Sequence, residues 1–227
     1  MITAARPALD GHPANARWRS ALAVAALLLV AAPSAHPADW AIGADAGWFS
    51  ATNWPESAKA IFDGASGGVT YGGFLRFGLG ERFFVSGHVR YFEKEGERVF
   101  VADAGSPVFR LGHPLTIRLV PAYAMLGYRF TSGGRFSPYV GVGAGATSYR
   151  ETSDVAGLIE TSSRTNASGH LAAGVDFGRG GLRVGAEVVY SLVPNTIGEA
   201  GVSRIYGETD VGGVTAVLRV SFGSRAP

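Results

Sequence analysis

The sequence feature that most limits what this chain can fold into is a period of two. Eight short stretches alternate side chains with that period, and the links between them alternate between tight turns and long segments. The last stretch is the clearest. Val214, Ala216, Leu218, Val220 and Phe222 fall on one face, and Thr215, Val217, Arg219 and Ser221 on the other. A two-residue repeat is that of an extended strand, whose successive side chains point to opposite sides of a sheet.

We read the strands at about 40–49, 69–78, 82–92, 115–130, 136–149, 170–177 and 182–192, with the eighth following position 210. Three links are short and glycine-rich: Leu79-Gly80-Glu81, Ser132-Gly133-Gly134 and Gly178-Arg179-Gly180-Gly181. The other four run to roughly 18–22 residues, longer than the ~12–15 residues at which an unstructured loop becomes uncommon in a compact domain. All four follow odd-numbered strands, so in an up-and-down barrel they share one rim. Short turns at one end and long loops at the other are the asymmetry of transmembrane barrels. The fourth strand interrupts the pattern. A bulge near Val120-Pro121 would restore it, placing Leu115, Ile117 and Leu119 with Ala122, Ala124, Leu126, Tyr128 and Phe130, since proline belongs at bulges or edges.

Ahead of the strands, Arg6, Arg17 and Arg19 precede an apolar run at 21–32, then Pro33 and small residues. We expect 1–38 to be a cleavable signal peptide, cut after Ala35 or Ala38, and 39–227 to be the barrel domain. The apolar run is shorter than the ~20 residues of a spanning helix. Of 20 basic and 18 acidic residues, that segment holds three bases and one acid, Asp10. The remainder is near neutral and has no basic run, which excludes nucleic acid as a partner. With no cysteine, disulfides and thiolate metal sites are excluded as well.

Alternation alone does not say which face meets lipid, because soluble lipocalin-like barrels turn their apolar face inward. Here the polar face is mostly Gly, Ala, Ser and Thr with one or two charges per strand, which suits a narrow, filled interior. The apolar face avoids mid-strand charges, each worth about 2–4 kcal/mol at the bilayer midplane. Its aromatics gather near strand ends: Trp40, Trp48, Tyr71, Phe77, Phe83, Tyr91, Tyr190 and Phe222. That is the distribution of interfacial girdles.

The inward set contains Asp45, Arg76, His88, Arg90, His170, Asp176, Arg183, Glu187 and Arg219. Buried charges require partners. Strand order makes the eighth strand a neighbour of the first and seventh, so Arg219 is expected between Asp45 and Glu187, with Arg76 also near Asp45. Such a set forms either a plug of ion pairs or the lining of a small conduit. Scattered loop acids such as Asp154 and Glu160 lack metal-site spacing, and no His-x-Ser pair offers a base and nucleophile. We therefore expect no metal, no cofactor and no enzymatic activity. The link residues Trp54, Ile61, Phe62, Val99, Phe100, Val101, Phe109, Ile197 and Ile205 are open to two readings, surface contact or extension of the strands above the membrane.

Three segments carry a family resemblance: Pro138-Tyr139-Val140-Gly141-Val142-Gly143, the Gly-Tyr-Arg-Phe at 127–130, and the final strand. With them the chain resembles the small outer-membrane β-barrels grouped around the OmpA transmembrane domain, OmpX/Ail and the opacity proteins. The resemblance implies an eight-stranded antiparallel up-and-down transmembrane β-barrel in the bacterial outer membrane. It also implies a final-strand assembly signal, here Thr215, Val220 and Phe222, with Val217 where glycine is usual. The implied partners are the barrel-assembly machinery and periplasmic chaperones, outer-membrane lipid and lipopolysaccharide, and a surface or host partner for the loops. The function expected is a structural and surface-interaction scaffold with four long extracellular loops and a closed polar interior. The competing expectation is a small-solute or hydrophobic-compound conduit of the OmpW type.

Overall fold

Each alternating stretch forms a strand, and the eight strands close into one ring. The computed structural model describes residues 39–131, 135–179 and 181–224, so the expected signal peptide, the Ser132-Gly133-Gly134 turn and Gly180 lie outside the described residues. The strands are β1 (Trp40–Ser50), β2 (Gly67–Leu79), β3 (Phe83–Phe100), β4 (Phe109–Arg129), β5 (Phe136–Val155), β6 (Leu158–Arg179), β7 (Leu182–Val193) and β8 (Val211–Ser224). Every neighbour is antiparallel, and β1 pairs with β8 to complete the barrel. Closure leaves no sheet edge, so each strand finds backbone partners on both sides. β1, with 11 residues, has the ~9–11 that a tilted strand needs to cross a bilayer.

The middle strands are much longer, at 18 to 22 residues in β3 to β6. They extend as two hairpins beyond the long-link rim, and this corrects two of the four expected long loops. β5 and β6 stay in register from Phe136↔Phe177 to Val155↔Leu158. They turn through Ala156 and Gly157, whose φ values of 55° and 84° fit a primed hairpin turn. β3 and β4 pair up to Phe100↔Phe109, with a register shift between Glu97 and Val99. The other two links each carry a short helix, α1 (Pro55–Ile61) and α2 (Gly201–Tyr206).

The bulge expected at Val120-Pro121 is absent. β4 pairs without a break with β5 from Leu115↔Ser153 to Arg129↔Tyr139. Leu115, Ile117 and Leu119 therefore point inward, in phase with Tyr123 and Met125, and all five are buried. Ala122, Ala124 and Leu126 point outward. The interruption in the sequence marks a change of surroundings along one regular strand. In the lower half the outward face is apolar; in the upper half the inward face is.

That upper interior holds an apolar cluster. Phe49, Phe92, Leu115, Ile117, Leu119, Tyr149, Val193 and Val211 come from the strands, and Trp54, Ala58, Ile61 and Phe62 from the β1–β2 link. α1 thus sits in the barrel mouth with Ser57, Ala58, Ala60 and Ile61 buried. Pro55 opens the helix, where its missing N–H costs nothing. The N-terminus is closed from a distant segment. Glu208 accepts hydrogen bonds from the Glu56 and Ser57 backbone N–H groups, each at 2.9 Å, which places a carboxylate where helix N-termini favour one. Glu208→Ala is expected to cost about 1 kcal/mol and to expose Trp54 to quenchers at lower urea than the wild type. An unchanged quenching curve would refute the role of Glu208.

Candidate functional site

All nine expected inward charges are buried, as are two the sequence reading missed, Asp39 and Arg129. Asp39 pairs with Arg129 near the turn end of the barrel, and Arg76 pairs with Asp176. At mid-height four charges interlock. Arg90 binds both oxygens of Asp45 at 3.0 and 3.1 Å and reaches Glu187 at 2.6 Å. Glu187 also accepts from the Tyr139 hydroxyl at 2.7 Å and from Arg219. Arg90 donates further to the Tyr123 hydroxyl at 2.8 Å. Among the described residues, Arg183 is the buried cation in no ion pair.

Two expected pairings are corrected. Arg219 does bind Glu187, but it does not bind Asp45, although the two are Cα partners across β1 and β8. Arg76 binds Asp176 in place of Asp45. The cause is an empty position. Gly72 is the Cα partner of both Asp45 and Arg90, and a Cβ there would stand 2.6 Å from Arg90 Cγ. The missing side chain lets the guanidinium lie over β2 and take both Asp45 oxygens in a bidentate pair. Arg219 lies instead 3.7 Å above the Phe74 ring, a cation–π contact that replaces the lost carboxylate. Arg76 is likewise 4.4 Å from the Phe84 ring and 4.7 Å from that of Tyr139. Room for Phe84 comes from Gly127, where a Cβ would fall 2.0 Å from the ring.

Both strand histidines belong to one stack. The rings of Phe74, His88, Tyr123 and His170 follow one another at 5.7, 4.8 and 3.8 Å, inclined by 20°, 4° and 15°. Each histidine Nε2 lies 2.9 Å from the Oγ of the serine two positions earlier, Ser86 and Ser168. His170 Nδ1 is also 2.9 Å from Ser191 Oγ. The signal was present in the sequence as a repeated Ser-Gly-His, at 86–88 and 168–170. Residues two apart in a strand share a face, so the repeat specifies two inward serine–histidine pairs.

Asp45, His88 and Glu187 have atoms of the right kind for a cation, all within 4.8 Å of one another. Their four carboxylate oxygens already accept from Arg90, Arg219 and Tyr139. The donor set is therefore committed to guanidinium and phenol and does not fit a metal. A cavity separates this network from the apolar cluster above it, bounded by Arg90, Thr70, Thr147 and Thr215 together with Phe49 and Leu119.

The outward face carries all eight expected girdle aromatics in two tiers. Trp40, Phe77, Phe83 and Phe222 lie toward the short turns, and Trp48, Tyr71, Tyr91 and Tyr190 toward the long-link rim. Of the expected assembly residues, Val220 and Phe222 point outward, and Thr215 is buried inward. The apolar link residues divide. Trp54, Ile61, Phe62 and Val101 are buried, Val99 and Ile197 pack against that cluster, and Phe100, Phe109 and Ile205 are exposed. Of the loop acids, Asp154 accepts from the Gly157 N–H, and Glu160 pairs with Arg98 at 2.9 Å. At the rim, a hydrogen bond and the charge of Arg164 hold Glu199 below the ordinary carboxylate range, while Glu56 raises Lys59 in the same way.

Residues 20–216 match the sequence model of the outer membrane protein beta-barrel domain. No curated protein matches the chain. Among solved structures, Neisserial surface protein A aligns over 83% of this chain and 99% of its own at 14% identity, with a TM-score of 0.51. A major outer membrane protein from Thermus thermophilus aligns over 82% and 100% at 11% identity, with a TM-score of 0.49. The attachment invasion locus protein Ail of Yersinia pestis, solved with the heparin analogue sucrose octasulfate, aligns over 82% and 97% at 14% identity, with a TM-score of 0.45. At these identities the similarity is one of fold.

Proposed function

The chain belongs to the outer membrane protein beta-barrel domain family, and on that premise we propose that it is a non-conducting, non-enzymatic scaffold that presents its upper rim to the cell exterior. In this reading 1–38 directs export, the final strand is read by the assembly machinery, and the two aromatic tiers rest in the two interfaces of the bilayer. The observation that carries the proposal is the double filling of the lumen. The Arg90–Glu187–Arg219 network lies at mid-height, and the apolar cluster under α1 lies above it. An eight-stranded barrel is just wide enough for its own side chains, so two stacked layers leave no continuous water column. The hairpin tips supply the contact surface, with Phe100 and Phe109 each 56% exposed and Leu158 and Ile159 73% and 74%.

Planar-bilayer recording on the purified protein tests this. Wild type is expected to be silent across voltage, with brief events appearing in Arg219→Ala. Steady wild-type conductance would replace the scaffold by a conduit, for which the cavity between the two layers is the natural waiting site.

A further inference from the structure

The upper aromatic tier has a gap. Its aromatics are Tyr190 on β7 and Trp48, Tyr71 and Tyr91 on β1–β3, with Val214 and Ala216 of β8 between them, whereas three successive strands, β4, β5 and β6, carry Val120, Ser148 and Thr165 at that height. One step above, Arg118 of β4 and Arg150 of β5 stand directly opposite each other on the outer face. Like charges in that position repel, so something must offset them. Arg118 has its own carboxylate, Glu93, at 2.6 Å, and lies 5.4 Å from the Tyr91 ring. Glu95, also on β3, lies beside Thr116 and one step further up. Arg150 has no such partner. It is exposed, makes no ion pair among the described residues, and its cross-strand neighbours are Arg118 and Ser163. Ser148 and Thr152, two positions away on its own strand, are also uncharged.

Beneath this pair the lipid-facing wall is shallow. Ala122, Ala146 and Ala167 form one cross-strand row, and Ala124, Ala144 and Gly169 the next. A guanidinium pair rimmed by hydroxyls, above a strip without bulky side chains, offers an anion site and a bed for hydrocarbon in one vertical line. In a bilayer that wall is covered by lipid, and a guanidinium fork matches the geometry of a headgroup phosphate bidentately.

We propose that Arg118 and Arg150 clamp the phosphate of an outer-leaflet phosphorylated glycolipid, whose acyl chains lie on the alanine strip of β4–β6. The inference rests on the outer-membrane placement above but not on whether the lumen conducts. Native mass spectrometry of the detergent-solubilised full chain tests it with three probes: bisphosphorylated lipid A, the same lipid with its phosphates removed, and inorganic phosphate.

Wild type is expected to retain the phosphorylated lipid about tenfold more strongly than Arg150→Gln, with Arg150→Lys between them. The dephosphorylated lipid should bind weakly to all three proteins, and millimolar inorganic phosphate should not displace the phosphorylated one. Equal retention by wild type and Arg150→Gln, or equal binding of the dephosphorylated lipid, would overturn the site. Displacement by inorganic phosphate would overturn the lipid as its occupant. Heat-shifted electrophoretic mobility and bilayer silence should be the same in Arg150→Gln as in wild type, which separates failure of this site from misfolding and from failure of the scaffold reading.

Discussion

Glu187→Ala is expected to destabilise the barrel by about 3–5 kcal/mol, the cost of leaving buried charges without their partner. Glu187 is 1% exposed and receives Arg90, Arg219 and the Tyr139 hydroxyl on its two oxygens. Removing it strands the Arg219 guanidinium and leaves Arg90 with Asp45 alone, in a space that water reaches poorly. Urea titration of refolding into lipid vesicles, followed by tryptophan emission, measures the loss. A loss below ~1 kcal/mol would mean that Asp45 alone balances the cluster, or that water does. Glu187→Gln should fall between, because it keeps the shape and one acceptor oxygen. Glu187→Leu combined with Arg219→Met should recover part of the deficit, since replacing a whole buried pair by packed apolar groups is often neutral. The recovery matters for function. It would identify the network as a device for filling and closing the lumen rather than as the source of the barrel's stability.

The second large effect is expected at Trp54. Its side chain is 1% exposed in the barrel mouth, against the Phe62 ring at 6.2 Å and within the cluster that Phe49, Phe92 and Ile117 complete. Trp54→Ala removes the largest fully buried side chain among the described residues and should cost about 3–5 kcal/mol through lost burial and the cavity left behind. The damage should be uneven. β1–β8 remain paired in a closed ring, so protease should cut the 51–66 link early while the barrel still migrates as a folded species. If the link and the barrel lose protection together, the mouth is a continuous part of the barrel core. If the link is no more sensitive than in wild type, α1 is held by its Glu208 contact rather than by tryptophan.

How much could be read from the sequence differs between the two halves of each strand. Inside the membrane one rule held for seven strands: apolar out, small or charged in. The nine charges assigned inward from alternation are all buried. The rule failed at 115–119 because it assumed one environment along the whole of β4. Above the bilayer the outside is water and the inside is the apolar cluster, so an unbroken strand must exchange the polarity of its faces. Leu115, Ile117 and Leu119 looked out of phase with Ala122 and Leu126 when in fact their surroundings had changed. The same assumption turned the upper halves of β3 to β6 into loops, since Thr, Ser, Glu and Arg there resemble a solvated link. Asp39 escaped notice because it borders the segment expected to be a signal peptide, and the Ser-Gly-His repeat because each copy looked like an isolated histidine.

What the sequence determined alone is therefore local and periodic: strand number, which residues share a face in the strands other than β4, the rim from which the long links leave, and the family. These follow from the two-residue repeat and from residue chemistry, which every stretch of chain carries within itself. Only the tertiary structure decided who meets whom. Asp45 has Arg219 as its Cα partner yet bonds Arg90, because Gly72 leaves a gap that a long side chain fills. Glu187 gathers Arg90 from across the ring, and α1 finds its N-terminal carboxylate, Glu208, about 150 residues away in sequence. Closing a sheet into a ring brings inward side chains from opposite walls within hydrogen-bonding distance. No periodicity in one dimension encodes that distance.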